Sequence, residues 1–246
     1  MNVEICDAQS PDCDVFVRRM RGAKICHLFA WARHVVRPLG HKPFYLVAYR
    51  DGRVCGVLPL TLIRSRLFGD RIISQAFSNY GGPLAEDDTA LKALYDRGVE
   101  LCEEYRCESM EFRNIEPLPY GLHLRTDKVT FCISLSPDPA ETWKRLRPQI
   151  RNQIRKAEKA GLVVTAGGAE MLDDFYRIWT RRMHQLGTPC YPRKLFHLIL
   201  KTFPDQSRVF LAHLKDKPIG GLFVYGFNGL AESRWGAVLT EYNDIS

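Results

Sequence analysis

The sequence predicts an α/β protein in which one unit, helices followed by a β-hairpin, occurs twice. Residues 44–60 (FYLVAYRDGRVCGVLPL) lie over residues 208–224 (RVFLAHLKDKPIGGLFV) at an offset of 164. Ala48/Ala212, Gly56/Gly220 and Leu58/Leu222 coincide, and the turn falls at the same place. Each hairpin is preceded by segments with helical apolar spacing, and such a matching order of elements is the mark of an internal repeat. The expected fold class is therefore α/β, of the α+β kind, with mixed β-sheets flanked by helices. Residues 116–121 (EPLPYG) read as a linker, so domains are expected at 1–127 and 128–246.

The elements follow in order. Residues 27–39 place Leu28, Trp31, Val35 and Leu39 at helical spacing. Two β-rich runs then flank Asp51-Gly52, a strong hairpin signal. Residues 71–77 (RIISQAF) predict a strand, 78–83 (SNYGGP) a tight glycine-rich loop, and 109–113 a short strand. Between them, residues 88–105 carry Leu91, Leu94, Gly98 and Leu101 along one side of a helix. Residues 129–135 (VTFCISL) predict the opening strand of the second copy. Asp138 then reads as an N-cap, with Pro139 at the first helical position and Glu141 completing a capping box. Pro148 disfavours α geometry at Arg147, so the helix should break there and restart, to be stopped by Gly161. Helices at 172–185 and 192–203 lead into strands turning at 215–217 and 228–229.

Composition narrows the function. A chain of 246 residues with 46% hydrophobic and 26% charged content is globular, of one large or two small domains. No apolar run resembles a signal peptide or a spanning helix, so a cytoplasmic location is the expectation. The eight cysteines contain no CxxC pair and read as small buried thiols, with no metal site expected. Positive charge is concentrated: residues 141–160 carry +5 of the net +7. Arg147, Arg151, Arg155 and Lys159 recur every four residues, beside an apolar stripe of Leu146, Ile150, Ile154 and Ala157. Such a helix is expected to lie on a core and to turn its basic flank to solvent or to an anionic partner. GxSxG, HExxH and Walker motifs are absent.

Four regions are candidates for chemistry. Arg151, Arg155 and Lys159 suit phosphate contacts. Asn79, Tyr80, Gly81 and Gly82 form a loop in which paired glycines permit close backbone approach, to a ligand or to the protein itself. Arg182 and Tyr191 flank a loop stiffened by Pro189 and Pro192. The run 232–236 (ESRWG) offers Ser233 and Trp235, with Glu232 and Arg234 on the alternate face. No general base or other catalytic residue is assigned.

The runs QIRNQIRKAEKAGLVV, FYRIWTRRMHQLGTPCYP, VFLAHLKDKPIGGLFVYGF and ESRWGA, with YLVAYRDGRVCGVLPL and SNYGGPLA before them, together resemble the FemAB family of peptidyl and acyl transferases. The likeness extends from about residue 27 to 246 and is strongest to the branch associated with exosortase (PEP-CTERM) and exopolysaccharide loci, often labelled BioF2-like. It implies two GNAT-like domains in tandem and an acyl-CoA or aminoacyl-tRNA as co-substrate, with no tightly bound cofactor. It further implies an acceptor amine on an anionic, lipid- or nucleotide-linked precursor of cell wall or exopolysaccharide. The R/Q-x-x-G-x-G/A pyrophosphate loop of acetyl-CoA enzymes has its nearest match at residues 53–58 (RVCGVL), which departs at the last position and falls in a strand pair. Relatives of this kind continue beyond the final strand, so the second domain is expected to be C-terminally truncated. The alternatives are a non-catalytic RNA or tRNA binder and an inactive fragment; donor, acceptor and oligomeric state are open at this stage.

Overall fold

The duplication is visible in the strands. The computed structural model describes residues 1–245, with side chains as far as residue 242. Asp51 and Gly52 take φ of 50° and 75°, the left-handed pair that a two-residue hairpin turn requires. They join β2 (Lys42–Arg50) to β3 (Arg53–Ile63). Lys215 and Asp216 do the same at φ 49° and 61° between β8 (Ser207–Leu214) and β9 (Lys217–Phe227). The offset of 164 that aligns the sequences carries both ends of β3 onto the ends of β9. Gly56 pairs with Ala48 across the first hairpin. A Cβ on Gly56 would stand 3.5 Å from Cβ of Ala48, and a Cβ on Gly220 would stand 3.5 Å from Cβ of Ala212. Two of the three shared identities are thus one small cross-strand pair, built twice.

The remaining strands are β1 (Asn2–Ile5), β4 (Arg71–Ser74), β5 (Leu84–Ala85), β6 (Ser109–Phe112), β7 (Leu162–Gly167) and β10 (Leu230–Val238). The first sheet runs β1-β2-β3-β4-β6, with β5 also on β3; the second runs β10-β9-β8-β7. In both, the hairpin sits in the middle, an earlier strand lies outside its first arm and a later one outside its second. Only β4 with β6 is parallel among the registers β1-β2, β2-β3, β3-β4, β3-β5, β4-β6 and β7-β8, so the first sheet is mixed.

The chain forms two compact units from interleaved segments. One comprises Met1–Glu116, Tyr191–Arg208 and Val224–Arg234; the other comprises Pro117–Cys190, Val209–Phe223 and the residues from Trp235. In the first, Phe44, Leu46, Leu58, Leu60 and Ile72 pack against Leu94 and Leu101 of α2 (Asp88–Glu104). Asp87 caps this helix, its Oδ1 accepting from the amide of Ala90 at 2.9 Å. The expected helix over 27–39 is a π-helix at Trp31–Val36 flanked by 3-10 turns. The wider turn covers Trp31, Ala32, Val35 and Val36 together, so burial overrides the regular pitch. Trp31 is fully buried, with rings of Phe203 and Tyr225 at 6.0 and 5.6 Å. The first unit also holds α6 (Arg193–Thr202) and α1 (Pro11–Arg19); the sequence reading assigned no element to α1 or β1.

The second unit holds α3 (Pro139–Arg145), α4 (Pro148–Lys159) and α5 (Leu172–Gln185). Arg147 is extended (ψ 142°) before Pro148, and Gly161 takes φ 84°, so break and stop fall where the sequence places them. Leu172, Phe175, Ile178, Trp179 and Met183 bury one face of α5. Phe223 lies 5.7 Å from both Phe175 and Trp235.

Several expectations are corrected here. Residues 129–135 form no strand, and Val129, Phe131, Ile133 and Leu135 are exposed. Alternation alone does not make a strand; a sheet edge must take its hydrogen bonds, and β7 occupies the place beside β8. Asp138 caps α3 through the amide of Ala140, but Glu141 pairs with Lys144 at 3.2 Å instead of closing a capping box. The expected apolar stripe is not buried: Ile150 of α4 is exposed, its Ile154 and Ala157 are half-buried, and so is Leu146, which ends α3. Cys132 and Cys190 are exposed, while Cys13, Cys26 and Cys55 are buried; all eight thiols are free. No helix of the described residues is long and apolar enough to cross a membrane.

Candidate functional site

Beyond β4 the chain is held in a restrained loop that two other segments approach. Gln75 is buried, its Oε1 accepting from Thr61 Oγ1 at 2.6 Å and from the amide of Ala76 at 2.8 Å. Phe77 takes φ 63°, rare for a bulky residue, with its ring 5.5 Å from His41 and 5.8 Å from Tyr191. Arg113 pins the loop from outside. Its Nη1 donates to the carbonyl of Ser78 at 2.8 Å, and its own carbonyl accepts from Gly81 and Gly82 at 3.1 and 3.2 Å. The amides of both glycines are thus committed within the protein. A Cβ on Gly81 would come within 2.7 Å of Cβ of Gln75, so the close approach that glycine allows is to the loop's own base.

The loop's carbonyls meet the segment 24–27. Tyr80 O accepts from Ser78 Oγ at 2.6 Å and from the thiol of Cys26 at 2.9 Å. Gly82 O accepts from His27 Nε2 at 2.9 Å, while His27 Nδ1 accepts from the amide of Lys24 at 2.9 Å. That pattern fixes a neutral imidazole with its proton on Nε2, and burial lowers its pKa to about 4. His27 is thereby a structural bracket and not a proton carrier at neutral pH.

The third element is the β9-β10 hairpin end, which brings Tyr225, Glu232 and Arg234 to the same residues. Glu232 feels the charges of Lys24 and Arg234 and neighbours the Tyr225 hydroxyl. Cys26 neighbours both Ser78 and Glu232. Lys24, at 7% exposure, is nearly as buried as the thiol. Glu232 Oε2 is buried and has no hydrogen-bond partner. Burial raises the Glu232 carboxyl above the usual carboxylate range, against the pull of Lys24 and Arg234. Burial also raises the Cys26 thiol to about 12, leaving it protonated and unreactive as a nucleophile, and it raises the Tyr225 phenol too. One ammonium, one carboxylate, one guanidinium, two hydroxyls and a thiol therefore gather around the loop, all within the first unit.

This gathering draws together some of the sequence-nominated residues. Tyr80, Gly81 and Gly82 are at its centre, Asn79 is exposed at the loop's tip, and Tyr191 is half-buried on the ring of Phe77. Ser233 is exposed next to Glu232, whereas Trp235 fills a core at 1% exposure. Arg151, Arg155, Lys159 and Arg182 belong to the second unit. Arg155 is exposed, its guanidinium 5.5 Å over the ring of Trp143; Arg151 Nη1 donates to Lys144 O at 3.3 Å; Lys159 is exposed and Arg182 half-buried. The sequence reading missed Lys24, Cys26 and Tyr225. Alternation puts Glu232 and Arg234 on one strand face but does not single that face out for chemistry. Among the described residues no three His, Cys, Asp or Glu side chains gather as a metal site.

Comparison with known proteins adds a domain match and a fold. Residues 144–246 match the acetyltransferase (GNAT) domain. The whole chain aligns with the crystal structure of FemX at a TM-score of 0.68 and 14% identity, covering 82% of that chain. A tandem GNAT protein from the clavulanic acid biosynthesis pathway aligns over all of this chain and 82% of its own, at TM-score 0.52 and 14% identity. The C-terminal domain of a protein described as a lysylphosphatidylglycerol synthetase, from Agrobacterium fabrum, aligns over 94% of this chain and 68% of that chain, at TM-score 0.50 and 10% identity. No curated protein matches the sequence. The fold is that of tandem GNAT proteins; the repeated hairpin predicts the duplication, the resemblance to FemAB proteins implies its GNAT character, and the match over residues 144–246 supports an acyltransferase. The nearest likeness to an acetyl-CoA loop, residues 53–58, lies within β3.

Proposed function

We propose that the chain is an N-acyl or aminoacyl transferase that acts on an amine of an anionic cell-wall or exopolysaccharide precursor. The observation that carries this reading is the position of the charge: the matched GNAT domain opens at the last turn of α3 and on the basic helix α4, where Arg155 and Lys159 are exposed. A donor in the form of an acyl-CoA or an aminoacyl-tRNA is polyanionic, as is a lipid- or nucleotide-linked acceptor, and Arg151, Arg155 and Lys159 suit their phosphates. The sequence likeness to FemAB proteins of exosortase-associated loci favours a polysaccharide or peptidoglycan precursor. The alignment with FemX and with the lysylphosphatidylglycerol synthetase domain supports the same class. The name of the latter joins an aminoacyl group to an anionic lipid.

In this reading the acceptor nitrogen attacks the ester or thioester carbonyl, and the protein chiefly orients the two substrates and stabilises the oxyanion. The acceptor pocket is the loop 79–82 with Tyr191. The test is a salt titration of tRNA and of a nucleotide-linked muropeptide precursor against wild type and the double variant Arg151→Ala/Arg155→Ala. Weaker binding by the variant, most marked at low salt and with a shallower salt slope, is expected. Unchanged affinity would remove the basic helix from the mechanism. Salt-dependent tRNA binding without turnover of any acyl donor would favour a non-catalytic RNA binder.

A further inference from the structure

We infer that Glu232 is the proton acceptor for the attacking amine, an inference that rests on the acyl-transfer reading above. The geometry singles it out. It is the carboxylate among the groups gathered at the loop 78–82, and its Oε2 is buried with no hydrogen-bond partner. A carboxylate oxygen left so is under-solvated and gains from an N–H donor placed against it. The groups facing it are Lys24 and Cys26 from the segment before the π-helix, Tyr225 from β9 and Arg234 from its own strand. Neither the thiol nor the phenol competes as a base, because burial keeps both protonated, and His27 is locked as a neutral donor to Gly82. Lys24 and Arg234 repel an ammonium ion, so the site favours the neutral amine that can attack. Burial also raises the proton affinity of Glu232, which makes it a better base than an exposed carboxylate.

The step balances simply. The amine nitrogen forms the new N–C bond to the acyl carbonyl, and its proton passes to Glu232. The C–S or C–O bond to the leaving group breaks, and the proton on Glu232 returns, through solvent, to the thiolate or alkoxide. Glu232 ends as it began.

The experiment compares two amines with one acyl donor, run with acetyl-CoA and with alanyl-tRNA. One amine is a lysine-bearing peptide amide, an alkyl amine that is protonated at neutral pH. The other is hydroxylamine, which is neutral there and needs little help from a base. Wild type, Glu232→Gln and Glu232→Asp are measured across the pH range. If Glu232 is the acceptor, Glu232→Gln loses about 10²–10⁴-fold in kcat on the alkyl amine, the range for a general base. It keeps most of its rate on hydroxylamine, and Glu232→Asp restores part of the alkyl-amine rate. Its acid limb in the pH–rate profile also disappears. Equal losses on both amines, with an unchanged pH profile, would make Glu232 a structural residue and overturn the inference. Wild type inert toward both amines with both donors would overturn the transfer reading itself, and this inference with it.

Discussion

At the scale of single residues, Glu232 and Asp87 are two carboxylates with opposite pH signatures. Burial holds Glu232 above the usual range. The unfolded chain therefore releases this proton first as pH rises past about 4.3, and stability falls until the folded value is passed. Glu232→Gln never ionises, so its melting temperature should exceed that of wild type at pH 7, and the gain should close as the pH falls toward the unfolded value. Scanning calorimetry at several pH values measures it; a variant that melts lower at pH 7 would show a stabilising ion pair there. Asp87 is the reverse. A hydrogen bond from Arg50, then one from the amide of Ala90, lowers its pKa to about 2. Its contribution is present above the unfolded value and is lost as pH falls toward 2. Asp87→Ala should thus lower the melting temperature at neutral pH, by a difference that shrinks in acid. Such roles were only partly legible in sequence: Glu232 and Arg234 could be placed on one strand face, but Lys24, Cys26 and Tyr225 reach them from positions 24, 26 and 225, and spacing cannot report contacts made by tertiary folding.

At the scale of elements, the two hairpins give an internal comparison. A Cβ on Gly56 would come within 2.8 Å of Leu94 Cδ1, a fully buried side chain of α2, and 3.2 Å from the carbonyl of Leu84. On Gly220 the nearest atom is Val238 Cγ2 at 3.3 Å. Gly56→Ala should therefore destabilise by about 1–3 kcal/mol through overpacking. Gly220→Ala should be close to neutral, since the lower backbone entropy of alanine offsets the smaller clash. Denaturant unfolding of each variant would check this; equal effects would mean that the second glycine is as tightly packed as the first. The elements most legible in sequence were those with local signals: the Asp51-Gly52 turn, the Pro148 break, the Gly161 stop and the helix over 172–185. The π-helix at Trp31–Val36 and the unformed strand at 129–135 were not, because one answers to the burial of Trp31 and the other to which edge of β8 is taken.

At the scale of the whole molecule, the chain holds two copies of one hairpin-centred sheet in a tandem GNAT fold. Only three identities between residues 44–60 and 208–224 survive in sequence, yet strand order and hairpin ends repeat. The repeat was legible because element order is retained by packing even where side chains change. The interleaving of segments 191–208 and 224–234 with the first unit was not, since a chain read in order does not report which core a late strand joins. The basic helices α3 and α4 are legible in the charge pattern, but their apolar stripe is half-exposed, so their charge and not a buried face is the property on which the proposed function rests. The proposed reaction is transfer of an acyl group to an amine. The most direct measurement is mass spectrometry of a nucleotide-linked muropeptide precursor incubated with the protein and either alanyl-tRNA or acetyl-CoA. The account predicts a product heavier by one acyl group that survives mild alkali, as an amide does and an ester does not. Precursor of unchanged mass, with the donor unconsumed while tRNA is bound, would contradict it.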